Sequence, residues 1–156
     1  MEDILGGKVE YDESAKRWQF KKGNQKFAIG VTAEGIKKIA ILDSLLANRY
    51  LDTESIIFID ESESALHPAA ISKLLDIIYV LAEGGIQFFL ASHSYFVIKK
   101  LYLIARQKDI SIPFISLHSS RNEEVEYDDL KNGMPNNAII DESIRLYQEE
   151  VRGVLE

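Results

Sequence analysis

The chain has 156 residues, 46% of them hydrophobic, and its 18 basic and 25 acidic side chains give a formal net charge of −7. This length supplies a core, since a domain of about 150 residues buries roughly two thirds of its unfolded surface. Cysteine is absent, which excludes disulfide frameworks, thiolate metal sites and cysteine nucleophiles together. Met1-Glu2-Asp3 offers no basic leader, and no apolar run approaches the ~20 residues that span a bilayer. The expectation is a soluble, cytoplasmic protein with no membrane partner. The charge is unevenly placed: residues 1–121 carry fifteen basic and fifteen acidic side chains, residues 122–156 ten acidic and three basic. A neutral body with an acidic tail argues against indiscriminate nucleic-acid binding less strongly than the total charge does.

In chain order, residues 8–11, 17–20 and 26–31 read as three short strands, separated by the turns Asp12-Glu13-Ser14 and Lys22-Gly23-Asn24-Gln25. From Ala33 the apolar spacing turns helical through Ile36, Ile39, Ala40, Leu42, Leu46 and Ala47. Ile56-Ile57-Phe58-Ile59 is a continuous apolar run, the spelling of a parallel strand buried on both faces. Pro68 suits the first position of a helix with Ile71, Leu74, Leu75, Ile78 and Leu81 on one face, closed by Gly84-Gly85. A second strand over 86–91, a helix over 95–106 and a third strand over 112–117 follow. Residues 123–127 read as a short edge strand, and a last helix covers 138–151 after Gly133 and Pro135. Strands alternating with helices predict one α/β domain whose parallel sheet has right-handed crossovers, with an antiparallel meander at its N-terminal edge.

The chemistry concentrates at strand ends. The run over 56–59 stops at Asp60-Glu61, so two carboxylates emerge together at the edge where open parallel sheets bind ligands. One carboxylate can hold a Mg²⁺ while its neighbour polarises an attacking water; a merely solvated strand end is the alternative. Ser64-Ala65-Leu66-His67-Pro68 forms a compact turn into the next helix, and Phe88-Phe89-Leu90-Ala91 ends at Ser92-His93-Ser94. The neighbouring strand thereby delivers His93 to the same edge, where it could sense a phosphate. It could also be a core histidine, or stand beside a helix cap formed by Ser92 or Ser94.

Residues 56–68 resemble the Walker B strand and D-loop of ABC-type ATPases of the SMC/RecF/OLD-like class, bacterial AAA-family ATP-binding proteins. These commonly read four apolar residues, Asp-Glu-Pro-Glu, two variable positions and Leu-His-Pro. Ala91-Ser92-His93-Ser94 resembles their switch-histidine loop, and Val31-Thr32-Ala33-Glu34-Gly35-Ile36-Lys37-Lys38 a degenerate ABC signature loop. The resemblance extends to Tyr127-Asp128-Asp129-Leu130 and residues 139–147. It implies a three-layer, parallel-sheet P-loop-NTPase-like lobe: meander over 1–31, signature to switch-histidine region over 32–121, acidic tail with a C-terminal helix over 122–156. It implies that Asp60 supports Mg²⁺, that Glu61 orients or deprotonates the hydrolytic water, and that His93 contacts the γ-phosphate of ATP. Ser64 to His67 would form the D-loop at a dimer interface. Thr32, Ala33, Glu34 and Gly35 would meet the γ-phosphate held by the opposite subunit, where a helix N-terminus favours an anion. Hydrolysis would release the dimer clamp and drive a linked partner, in this class often a nuclease or DNA.

The sequence departs from this pattern in places. Ser62 replaces the usual Pro, Ala33 or Thr32 stands where a signature serine is expected, and Glu34 puts a negative charge near a proposed phosphate. The phosphate loop, Gly-x₄-Gly-Lys-Ser/Thr, is not found. Gly6-Gly7-Lys8 is followed by Val9 and reads as a turn into the first strand. The chain is therefore expected to be the C-terminal half of a longer ATPase and inactive alone. Two other classes stay open: a non-catalytic ABC-like interaction module, and a metal-dependent phosphohydrolase or nuclease using Asp60, Glu61, Glu63, His67 and His93, whose spacing fits no standard zinc pattern. The basic meander with Trp18 and Phe20 could bind nucleic acid, but alternating lysines more simply solvate a strand face. The acidic stretch over 123–129 reads as a solvated loop and edge, and His118 as an unremarkable polar residue.

Overall fold

The computed structural model describes residues 7–28, 34–64, 66–117 and 125–155, which fall in two compact units, Met1–Ser92 and His93–Glu156. The first unit opens with an antiparallel meander, β1 (Lys8–Asp12), β2 (Arg17–Lys22) and β3 (Gln25–Ala28), in that spatial order. The β1–β2 turn is folded by Asp12, whose Oδ1 accepts from the amides of Ser14 and Ala15 and from the Ser14 hydroxyl. These donors, the Ser14 hydroxyl first, hold the Asp12 carboxyl below its ordinary range. Gly7 is buried, and a Cβ there would collide with the Lys21 carbonyl and the Phe20 ring. Its lack of a side chain thus serves close packing, which agrees with reading Gly6-Gly7-Lys8 as an entry to the strand.

Helix α1 (Glu34–Ala47) buries Ile39, Ala40 and Leu42. Strands β4 (Ile56–Asp60) and β5 (Gln87–Ala91) pair in parallel, with Phe58 opposite Phe89 and Asp60 opposite Ala91. They are joined through α2 (Pro68–Glu83), which buries Ile71, Leu74, Leu75 and Ile78 and packs against β5. Those four positions follow the i, i+3, i+4, i+7 spacing of one helical face. Gly85, at φ 107° with Thr53 against it, turns the chain from α2 into β5.

The expectation of strands buried on both faces is corrected here. Exposure alternates along β4 and β5, and Phe58 is 76% exposed and Phe89 47%. The ladder has two strands and the helix packed on it covers one face, so the residues of the other face meet water. The rings of Phe58 and Phe89 stack there at 4.9 Å, recovering part of the contact that burial would have given.

In the second unit, α3 (Tyr95–Lys108) ends at Asp109, a left-handed cap whose N–H donates to Ala105. Strands β6 (Pro113–Ser116) and β7 (Glu126–Asp129) pair antiparallel, and α4 (Ala138–Leu155) closes the chain. Its core is Ile98, Ala105, Leu130 and Ile140, packed round by Tyr95, Leu101, Ile112, Phe114, Met134 and Ile139. The sequence placed β6 as a third parallel strand. Among the described residues the parallel ladder consists of β4 and β5, and β6 bonds to β7 instead. A short connection can return a strand only antiparallel, whereas a parallel partner needs a long crossover. Among the described residues no helix is long and apolar enough to cross a membrane.

Candidate functional site

The strand end at Asp60 and Glu61 is fixed through its main chain. The Glu61 amide donates to the Ala91 carbonyl at 2.9 Å, continuing the parallel ladder one residue past β4. Glu61 then turns into the left-handed region, at φ 47°, a conformation that costs a non-glycine residue about 1–2 kcal/mol. Its carbonyl accepts from the Ser64 amide at 3.0 Å and from Lys38 Nζ at 2.8 Å. Lys38 Nζ also lies 2.8 Å from the Asp60 carbonyl. Asp60 and Glu61 are both exposed, so the turn delivers two carboxylates to water at the C-terminal edge of a parallel strand.

The following loop is tied back to β5. Ser62 is buried, and its hydroxyl donates to Glu63 Oε2 at 3.4 Å, while the Ser92 hydroxyl donates to Glu63 Oε1 at 2.6 Å. Glu63 thereby joins the loop after β4 to the residue that follows β5. Ser64 enters through its amide, and Ala65 lies outside the described residues. His67 caps α2: its Nδ1 accepts from the Ala69 amide at 3.2 Å, and Pro68 occupies the first helical position, where no N–H is needed.

The remaining predicted residues are placed as follows. Glu34 and Gly35 are the first two residues of α1, whereas Thr32 and Ala33 lie outside the described residues, as does His118. His93 is exposed, follows β5 by two residues and opens the second unit. Two contacts were not foreseen from sequence. Lys38 read as one of several polar residues on a helix, and Glu63 as a metal candidate; neither spacing nor composition marks a lysine that will reach a carbonyl 22 residues away.

The donor set of Asp60 and Glu61, exposed carboxylate oxygens with no sulfur nearby, is of the hard type that Mg²⁺ prefers, commonly alongside substrate phosphates. Among the described residues no three or more His, Asp or Glu side chains form a group that could hold a metal ion by themselves. In the meander, Lys26 pairs with Glu10 at 3.4 Å and Gln19 Nε2 donates to the same oxygen. The second unit has a cavity of about 480 Å³ lined by Tyr127, Asp128, Asp129, Asn132, Gly133 and Met134; no predicted site residue lines it.

Two comparisons bear on the fold. A solved chain from a study of ATP-driven dimerization and DNA-stimulated activation of SMC ATPases superposes with a TM-score of 0.54 at 13% identity, covering 96% of this chain and 87% of that one. At that identity the likeness shows the fold alone, one shared with that SMC ATPase chain. No curated protein matches the chain. The family model described as "AAA domain, putative AbiEii toxin, Type IV TA system" matches residues 3–99, a span that contains the meander, α1, the acid pair, the His67 cap and His93, and the chain therefore belongs to that AAA-domain family.

Proposed function

We propose that this chain contributes the Walker B carboxylates, the D-loop and the switch histidine to an ATP-hydrolysing ABC-type domain. The observation that supports this most directly is the Asp60-Glu61 turn: two exposed carboxylates at the C-terminal end of a parallel strand, on a backbone held by Ala91, Ser64 and Lys38. In this reading Asp60 holds Mg²⁺ alongside the nucleotide phosphates. Bound there, Mg²⁺ neutralises charge on those phosphates. Glu61 accepts the proton of the water whose oxygen attacks the γ-phosphorus as the bond to ADP breaks. His93 donates a hydrogen bond to the γ-phosphate. Thr32 to Gly35 face the nucleotide of a second subunit at the start of α1, and Ser64 to His67 form the D-loop of that dimer contact. A clamp of this kind would pass its closure to a nuclease or DNA partner.

Glu61→Gln in the intact ATPase is expected to lower turnover by about 10²–10⁴-fold, the usual contribution of general-base catalysis, while ATP binding and dimer formation persist. Turnover that survives the substitution removes Glu61 from the role.

A second reading is a non-catalytic ABC-like interaction module. Both readings predict that the 156-residue chain by itself binds ATP more weakly than about 100 μM and hydrolyses none. Calorimetry showing tighter binding would defeat that expectation. The Glu61→Gln measurement separates the two readings.

A further inference from the structure

We propose that Lys38 is the positioning residue of the strand-end acid pair: its ammonium holds the carbonyls of Asp60 and Glu61 and thereby fixes the direction in which the Glu61 side chain leaves β4. The catalytic consequence rests on the reading of Glu61 given above; the clamp itself does not.

The geometry carries the argument. Successive carbonyls of a β-strand point to opposite sides, so one ammonium cannot reach two of them while the strand stays regular. Lys38 Nζ lies 2.8 Å from both the Asp60 and the Glu61 oxygen, and Glu61 has φ 47°. The left-handed turn brings the second carbonyl round to the ammonium, and the ammonium in turn compensates a conformation that glutamate avoids. The same Glu61 carbonyl receives the Ser64 amide and the Glu61 amide donates to Ala91, so three parts of the chain meet on the backbone of one residue. Hydrogen bonds with a charged donor are about twice as strong as neutral ones. Lys38 lies on the second turn of α1, and α1 begins at Glu34 and Gly35, the residues placed against a second subunit's nucleotide. A rigid helix therefore links that loop to the backbone beneath the general base.

The test is residue-resolved amide exchange and carbonyl ¹³C shifts on the 156-residue chain, for Lys38→Arg, Lys38→Gln and Lys38→Met. In Lys38→Met the Glu61 and Ser64 amides are expected to exchange about tenfold faster, the Asp60 and Glu61 carbonyl shifts to move, and the Leu75 amide within α2 to keep its rate. Lys38→Arg, with two donors in a fork, is expected to restore both amides to within about threefold of the parent, and Lys38→Gln to fall between. Unchanged Glu61 and Ser64 amides in Lys38→Met overturn the proposal, as does an arginine variant that behaves like methionine. Uniformly faster exchange, Leu75 included, makes Lys38 a general stabiliser and also overturns it. In the intact ATPase, Lys38→Met is expected to lower kcat about tenfold at unchanged KM, and to cost nothing further in a Glu61→Gln background. If Glu61→Gln alone leaves turnover intact while the exchange pattern holds, the reading of Glu61 fails and the clamp stands.

Discussion

The acid pairs at the ends of β4 and β7 are held in opposite ways. At the end of β4 the main chain is held: the Asp60 and Glu61 carbonyls accept from Lys38, and the Glu61 amide donates to Ala91. At the end of β7 the fixed atoms are the carboxylate itself. Asp129 Oδ2 accepts the Ser111 hydroxyl at 2.6 Å, and Oδ1 accepts the amides of Ile112 and Lys131 at 3.1 and 2.8 Å. An acid whose oxygens staple three groups is a structural joint, whereas an acid whose peptide is stapled is presented. Acid pairs at strand ends look alike in sequence; which atoms are held tells them apart.

The comparison can be broken in several ways. The largest expected effect is on turnover. Glu61→Gln in the intact ATPase should slow it by the factor given above, while Asp129→Asn should leave kcat near the parent value and lower the melting temperature instead. Equal losses of turnover would erase the distinction. Next come the cores beneath the two strand pairs. Leu75 of α2 and Leu130 just after β7 are both fully buried, so Leu75→Ala and Leu130→Ala should each destabilise by about 2–5 kcal/mol in denaturant titrations. If the two units unfold separately, each substitution will shift only its own transition.

The smallest effect concerns acid. The Ser111 hydroxyl, and after it the Lys131 amide, hold the Asp129 carboxyl below its ordinary value of 3.8. Folding therefore favours the ionised form. The stability this adds is fully present above 3.8 and is lost as the pH falls through the lower, folded value. An NMR titration of the Asp129 carboxyl carbon should place its midpoint below the ordinary value, and Ser111→Ala should move it up. A midpoint at or above the ordinary value would refute the stapled-carboxylate description.

Much of this was legible in the sequence. Pro68 and the apolar spacing behind it located α2, and the sharp change from Ile59 to Asp60 located the end of β4, because both signals are local. The acid pair followed from the same signal, whereas His67 read as part of a turn and not as the cap of α2. Four further things were not legible. The apolar run over 56–59 reads as doubly buried, yet Phe58 is open to water, since coverage depends on which elements pack rather than on the strand's own spelling. The pairing of β6 with β7 depends on how a connection returns, which the short sequence of β6 leaves undetermined. Lys38 reaches Asp60 only through the tertiary packing of α1, and lysine at a polar helix position is the least distinctive of signals. Asp129 likewise looked like part of a solvated acidic stretch until its three donors were seen.

The cap on α2 carries one more consequence. Helices usually begin on Ser, Thr, Asp or Asn, and an aspartate cap would cancel part of the positive charge that the helix dipole places there. His67 caps through Nδ1, which accepts the Ala69 amide, and the side chain brings no carboxylate to the helix start. The helix start thus gains an acceptor for its orphan amide without gaining an anion, and the ring contributes a further N–H donor. A cap without a carboxylate leaves the helix's electropositive end undiminished, and replacement of His67 by Asp would forfeit this even as it capped the helix.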